Sequence, residues 1–169
     1  FAYLMRGFDR PAKHVVCMAK PEGEAILMFT SGTTSKSKGV VLTNFNVMHA
    51  IETYRRILRI TDQDRSIIAV PIYHVTGLIA IMGLFLCSGG TIWLHRIFNA
   101  KRVLECVRTN RLTFIHGAPT VFSMLLQEKE AFPRLPSLRA FACGSSNMPK
   151  EKIRALHKWL PDMDFHTVY

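Results

Sequence analysis

Continuous apolar runs of strand length alternate along this chain with stretches in which apolar residues recur every three or four positions. The first run covers 25–30, and a polar stretch over 31–39 separates it from a second, 40–42. Thr43 or Asn44 can cap a helix running to about Arg59, in which Val47, Ala50, Ile51, Tyr54, Ile57 and Leu58 fall at helical spacing. The residues 61–64 close that segment as a turn. Beyond it the pattern predicts a strand over 66–70, an apolar helix over 75–87 and a strand over 91–94. Asn99 caps a helix over 100–109 whose buried stripe is Val103, Leu104, Cys106 and Val107. A strand over 112–115, a helix over 119–130 with Pro119 near its first turn, and a strand over 138–142 follow. Pro149 opens the next helix, which ends near Leu160, and 165–169 is the last strand.

Strands that alternate with helices of this length, and that are apolar on both faces, describe βαβ units. The predicted class is α/β, a mostly parallel sheet with flanking helices. Ligands of such sheets collect at the carboxyl ends of the strands, so the loops after Phe29, Val70, Ile115 and Ala142 are the places to look for chemistry. The 169 residues suit one domain with one sizeable core, and neither an internal repeat nor a flexible linker is evident. Residues 132–136, Phe-Pro-Arg-Leu-Pro, read as a stiff surface crossing.

Composition removes several function classes. With 49% hydrophobic and 20% charged residues the chain is neither disordered nor fibrous. Lys and Arg outnumber Asp and Glu by 22 to 12, a formal charge of +10, which favours anionic partners such as phosphates. Cys17, Cys87, Cys106 and Cys143 are too widely spaced for a zinc site or a CxxC pair, and a reduced, cytoplasmic setting is expected. The first residues carry no signal-peptide pattern; both ends read as cuts inside a longer chain, with 1–21 as a leader segment. Residues 66–94 contain no Asp, Glu, Lys or Arg, but Pro71, Gly77, Gly83, Gly89 and Gly90 interrupt them, so a buried strand, helix and strand is expected and no membrane span.

The densest candidate chemistry is Thr30, Ser31, Gly32, Thr33, Thr34, Ser35, Lys36, Ser37, Lys38 and Gly39, directly after a strand. Hydroxyls and freed backbone amides can ring a phosphate chain, glycine lets the backbone approach it, and lysine neutralises its charge. The Walker pattern is absent, because Gly39 and Val40 follow Lys38. A solvated Ser/Thr-rich connection has the same composition. As a string, however, Phe-Thr-Ser-Gly-Thr-Thr-Ser-Lys-Ser-Lys-Gly-Val resembles the phosphate loop TSGTTGxPKGV of the adenylate-forming, AMP-binding superfamily, departing from it at Ser35 and Ser37. Further segments resemble that family in the same order. Pro71 to Gly77 matches P-x-x-H-x-x-G around His74; Gly117-Ala118-Pro119-Thr120 resembles the start of a pocket-walling helix; 141–149 resembles the small-residue turn on which adenine rests; and 166–169 resembles the lead into Y-G-x-T-E.

The resemblance covers about 22–169 and implies a partial N-terminal AMP-binding domain of an acyl-CoA synthetase, without the C-terminal domain. Such an enzyme joins a fatty or aryl acid to ATP with Mg2+, then passes the acyl group to coenzyme A. It implies that Thr30 to Lys36, Lys38 and Gly39 hold the β and γ phosphates, with Lys38 catalytic; that His74 borders the reacting carboxylate; and that Gly144, Ser145, Ser146 and Tyr169 line the adenine site. The groups the family uses for magnesium, ribose and the catalytic lysine fall beyond Tyr169, so this piece alone is expected to be inactive and, with uncovered faces, to self-associate. An amino-acid adenylation domain of the same superfamily is one alternative. A noncatalytic module for nucleic acid or acidic lipid is the other, using Arg55, Arg56 and Arg59 or Lys150, Lys152, Arg154 and Lys158; no RNA-binding strand pattern or helix-turn-helix spacing favours nucleic acid.

Overall fold

A computed structural model describes residues 19–30 and 37–168, and the chain divides into two compact units, 1–47 and 48–169. In the first, β1 (Glu24–Thr30) and β2 (Lys38–Thr43) pair antiparallel, with Thr30 opposite Lys38 and Phe29 opposite Gly39. Lys38 and Gly39, expected in the connecting loop, are therefore the first residues of a strand, because their backbones are taken up by the pairing. Ser31, Gly32, Thr33, Thr34, Ser35 and Lys36, like Tyr169, lie outside the described residues. Thr43 caps α1 (Asn44–Ile57): its Oγ1 accepts from the Asn46 N–H at 3.2 Å, and its own N–H donates to Asn46 Oδ1 at 3.0 Å. The two groups satisfy each other across the first turn, in the manner of a capping box.

The second unit is built on five short parallel strands. β3 (Arg65–Ile68) pairs with β4 (Thr91–Leu94), and β5 (Phe114–Gly117), β6 (Ala140–Cys143) and β7 (Asp164–Thr167) pair in that order. The two sets join where the Thr113 N–H donates to the Arg65 carbonyl at 2.8 Å and Ser66 Oγ donates to the Phe114 carbonyl at 2.9 Å. The strand order is thus β4-β3-β5-β6-β7, the parallel α/β sheet that the alternation predicts. Between the strands run a π-helical segment, Thr76–Gly83, continued by α2 (Leu84–Ser88), then α3 (Ala100–Asn110), α4 (Pro119–Gln127) and α5 (Lys150–Trp159). The expected α-helix over 75–87 is wound as π over its first part. Periodicity carries no information about that winding, because the segment is apolar on every side.

The predicted stripe of α3, Val103, Leu104, Cys106 and Val107, is buried and packs with Ile115, Phe122 and Phe141. Phe122 and Phe141 meet at 5.0 Å between centroids. Each such side chain adds roughly 1.5–3 kcal/mol through its burial. Asn99 starts α3 as predicted, its Oδ1 accepting from the Arg102 N–H at 2.9 Å.

One buried polar network ties the amino ends of the central strands together. Asp64, 4% exposed, accepts from Thr113 Oγ1 at 2.6 Å, from Arg139 Nε at 2.8 Å and Nη2 at 2.7 Å, and from the Thr61 N–H at 2.9 Å. Arg139 also donates to the Leu58 carbonyl at 3.1 Å and the Arg59 carbonyl at 3.0 Å. Burial alone would raise the Asp64 carboxyl, but the bonds from Arg139, Thr113 and Thr61 together hold it below its ordinary value.

Candidate active site

The strand order reverses between β3 and β5: the chain leaves β3 for β4 on one side and comes back to β5 on the other. At such a reversal, consecutive connections diverge and leave a crevice outside the carboxyl ends of the strands. His74, in the connection after β3, and Gly144, directly after β6, both lie on that edge.

The His74 turn is closed by its own backbone. The His74 N–H donates to the Pro71 carbonyl at 3.1 Å, and the Leu78 N–H donates to the His74 carbonyl at 3.0 Å. A Cβ on Gly77 would stand 2.6 Å from the Pro71 oxygen, closer than real contacts allow, so this turn requires glycine at 77. The Thr76 N–H donates to His74 Nδ1 at 3.2 Å, and Thr76 Oγ1 lies 3.1 Å from the same nitrogen. In the neutral ring this makes Nδ1 the acceptor and leaves the proton on Nε2. The ring is exposed, so Nε2 can hydrogen-bond an oxygen of a bound ligand.

On β6 the strand ends in a buried turn. The Gly144 N–H donates to the Gly117 carbonyl at 3.1 Å, and a Cβ there would lie 3.2 Å from both Val168 Cγ2 and the Val168 carbonyl. Ser145 follows with φ 68°, a left-handed conformation that costs a non-glycine residue roughly 1–2 kcal/mol. Ser145 and Ser146 are exposed, an open shelf at the strand end. Cys143 beside them is buried, and burial pushes its thiol up to about 11, which leaves no thiolate for nucleophilic work at neutral pH.

Sequence reasoning missed His116, the third residue of β5. It is 3% exposed, its Nδ1 has no hydrogen-bond partner among the described residues, and its Nε2 lies 3.6 Å from where a Gly144 Cβ would be. Burial holds its proton affinity down, to about 4, while a hydrogen bond with the Ala80 backbone works the other way. The imidazole is therefore neutral at pH 7. Tyr54 approaches it edge-on at 6.1 Å between centroids and Phe114 at 6.3 Å. The signal in the sequence is a histidine inside the otherwise apolar run before Gly117-Ala118-Pro119.

Beside this edge, at the ends of β3 and β4, opens a pocket of about 510 Å3 lined among others by Val70, Pro71, Tyr73, His95, Arg96 and Phe98. Among the described residues no three His, Cys, Asp or Glu side chains converge on a possible metal position. No helix of the described residues is long and apolar enough to cross a membrane. Lys38, Gly39 and Thr30 belong to the hairpin unit.

A family model described as AMP-binding enzyme matches residues 6–169. The chain is 35% identical over 128 residues to 2-succinylbenzoate–CoA ligase of Bacillus subtilis, covering 76% of this chain and 26% of that protein. It is 31% identical over 131 residues to feruloyl-CoA synthase of an Amycolatopsis species, covering 75% and 26%. Among solved structures, o-succinylbenzoate CoA synthetase of Bacillus subtilis, in complex with its acyl-adenylate intermediate, matches with a TM-score of 0.75 and 33% identity over 83% of this chain and 28% of that one. The chain spans about a quarter of the length of the curated relatives it matches.

Proposed function

We propose, because this chain belongs to the AMP-binding enzyme family, that the whole protein activates a carboxylic acid with ATP and transfers the acyl group to the thiol of coenzyme A. In the first step a carboxylate oxygen attacks the α-phosphorus, an acyl–phosphate anhydride forms, and pyrophosphate leaves. In the second the thiol attacks the acyl carbonyl, a thioester forms, and AMP leaves. The observation that carries this reading is the family match over 6–169 together with its P-x-x-H-x-x-G turn, whose glycine the local geometry requires.

Within that scheme the residues divide the work. Thr30, the segment from Ser31 to Lys36, Lys38 and Gly39 supply hydroxyl, amide and ammonium donors to the leaving pyrophosphate, where developing negative charge is stabilised by preorganised donors. His74, its Nδ1 occupied by Thr76, presents Nε2 to the reacting carboxylate. Gly144, Ser145 and Ser146 give a flat ring a surface without bulk, and Tyr169 stacks on that ring. The two relatives compared above are named for aromatic acids, which supports an aryl acid as one substrate class, while another relative is named for oxalate, so the panel spans both. Pyrophosphate exchange by the full-length protein, over a panel of aryl, fatty and amino acids and oxalate, tests the reading. Acid-dependent exchange with aryl acids and CoA thioester formation are expected. Exchange confined to amino acids would favour the adenylation-domain alternative, and no exchange with any acid would overturn the assignment.

A further inference from the structure

Three arginines line one cavity at the end of the sheet opposite the crevice. It measures about 260 Å3 and is bounded by Arg108, Arg111, Arg134, Leu135, Pro136 and Ser137. Arg108 and Arg111 lie where α3 leads into β5, and residues 134–137 lie before β6, so the cavity stands beside the amino ends of those strands. No carboxylate lines it. The three arginines are exposed, and among the described residues the ion pairs involve Arg55, Arg56, Lys129 and Arg139 but none of these three.

The fold holds each of them without using up its donors. The Arg108 guanidinium lies over the Phe132 ring, 5.1 Å from its centroid, a contact that engages the charge and none of its five N–H groups. Arg111 ends α3 with φ 53°, while the Leu112 N–H donates to the Val107 carbonyl at 3.1 Å; glycine closes such a turn without strain, and here an arginine does. Arg134 stands between Pro133 and Pro136, next to the buried Leu135, in a segment whose backbone the prolines stiffen. Countering the negative end of α3 would account for Arg108 and Arg111 alone. That end is already served, since Arg65 Nη1 donates to the Asn110 carbonyl at 3.2 Å, and Arg134 brings a third like charge from another segment.

The cavity continues into an apolar trench. Arg134, Leu135 and Pro136 also line a neighbouring cavity of about 330 Å3, which runs on past Leu138, Trp159 and Met163 and carries one acid, Asp162. The Trp159 ring is fixed there by its Nε1, which donates to the Phe132 carbonyl at 2.9 Å. A ligand lying across both would meet three guanidinium forks at one end and apolar side chains at the other. A phosphomonoester suits the forks: it offers three terminal oxygens and a charge approaching −2 above about pH 7, where a diester offers two oxygens and a single charge.

We propose that this cavity is a phosphomonoester-binding site, built from none of the residues assigned to the reaction, in which Arg108, Arg111 and Arg134 hold the phosphate and the group esterified to it lies in the trench beside Trp159. The site goes beyond the ligase reading and does not depend on it. Its ligand is a nucleoside monophosphate or a lipid phosphate, which share this chemistry.

Calorimetric titration of the full-length protein with phenyl phosphate tests the proposal. Saturable binding is expected, about tenfold or more tighter than for inorganic phosphate, which has nothing to place in the trench, and than for phenyl sulfate, which has the same shape and one charge fewer. Arg108→Gln and Arg134→Gln should each weaken it about tenfold or more at unchanged Tm, as expected for losing a charged hydrogen-bond donor, and Arg134→Gln decides the matter should Arg108→Gln loosen the Phe132 contact. Lys38→Ala should leave the affinity within about threefold of wild type, which separates this site from the phosphate loop. Displacement of phenyl phosphate by adenosine 3′-phosphate would identify a nucleotide and displacement by dihexanoyl phosphatidic acid a lipid; displacement by neither overturns the proposal. So does equal affinity for phenyl sulfate, which would show diffuse attraction to a basic chain, and so does binding that survives Arg134→Gln or is lost in Lys38→Ala. None of these failures touches the ligase reading, which stands or falls on pyrophosphate exchange.

Discussion

Replacing Arg139 by Met should destabilise this chain more than an ordinary surface change, and the reason lies in what it strands. Asp64 is 4% exposed and takes two of its bonds, at 2.7 and 2.8 Å, from Arg139. Met keeps the aliphatic stem but leaves the carboxylate with only Thr61 and Thr113. Removing one partner of a buried ion pair costs about 3–5 kcal/mol. Arg139 is 36% exposed, so water reaches the gap and the low end, about 3 kcal/mol, is expected. For a chain of this size that is a fall in Tm of about 10 °C, measured by circular dichroism. The folded Asp64 carboxyl lies below its unfolded value, so its contribution is present above about pH 4 and is lost as pH falls through the folded value. Arg139→Met should flatten that acid limb, and Asp64→Leu combined with Arg139→Met should cost at least about 1 kcal/mol less than the two single changes summed. A Tm within about 1 °C of wild type for Arg139→Met would refute the network as a determinant of the sheet's alignment.

Three further outcomes follow from individual residues. In the full-length protein, Lys38→Ala should lower pyrophosphate exchange at least tenfold, about 1.4 kcal/mol of transition-state stabilisation; unchanged turnover would remove Lys38 from the mechanism. Gly77→Ala places a methyl 2.6 Å from the Pro71 oxygen and should cost about 1–3 kcal/mol of stability together with most of the exchange activity, read in parallel by melting and by assay. Between pH 6.5 and about 4 the unfolded His116 binds a proton that the folded one refuses, so stability should fall as pH drops through that window, by up to about 3 kcal/mol; His116→Phe should abolish this slope, and a slope retained in that variant would place its origin elsewhere.

How far the residues announced this arrangement depended on whether one face or both were buried. The stripe of α3 and the cap at Asn99 were legible because a half-buried helix writes its orientation as a period, and Val103, Leu104, Cys106 and Val107 are buried as that period requires. The parallel strands were legible as runs, since β5 and β6 are buried at every position, though their bounds moved by one or two residues. The same uniformity hid the π winding over Thr76–Gly83 and hid His116, which in a strand buried on both faces has no polar side to be assigned to. The antiparallel sense of β1 and β2 was not legible either, because two adjacent apolar runs pair equally well on paper in either direction.

The two histidines of the site reverse the usual inference from pattern to role. His74 stands in a motif that names it, yet its ring is exposed and one nitrogen is already held by Thr76. That arrangement fixes one ring nitrogen from the following turn and leaves the other open to solvent. His116 stands in no motif, and it is the one held in a dry wall, where a missing hydrogen bond is expensive. Chemistry shared by a family requires the same groups in every member and so leaves a motif. A side chain inside a strand buried on both faces writes no such pattern, so its place beside the crevice is read only from the folded structure.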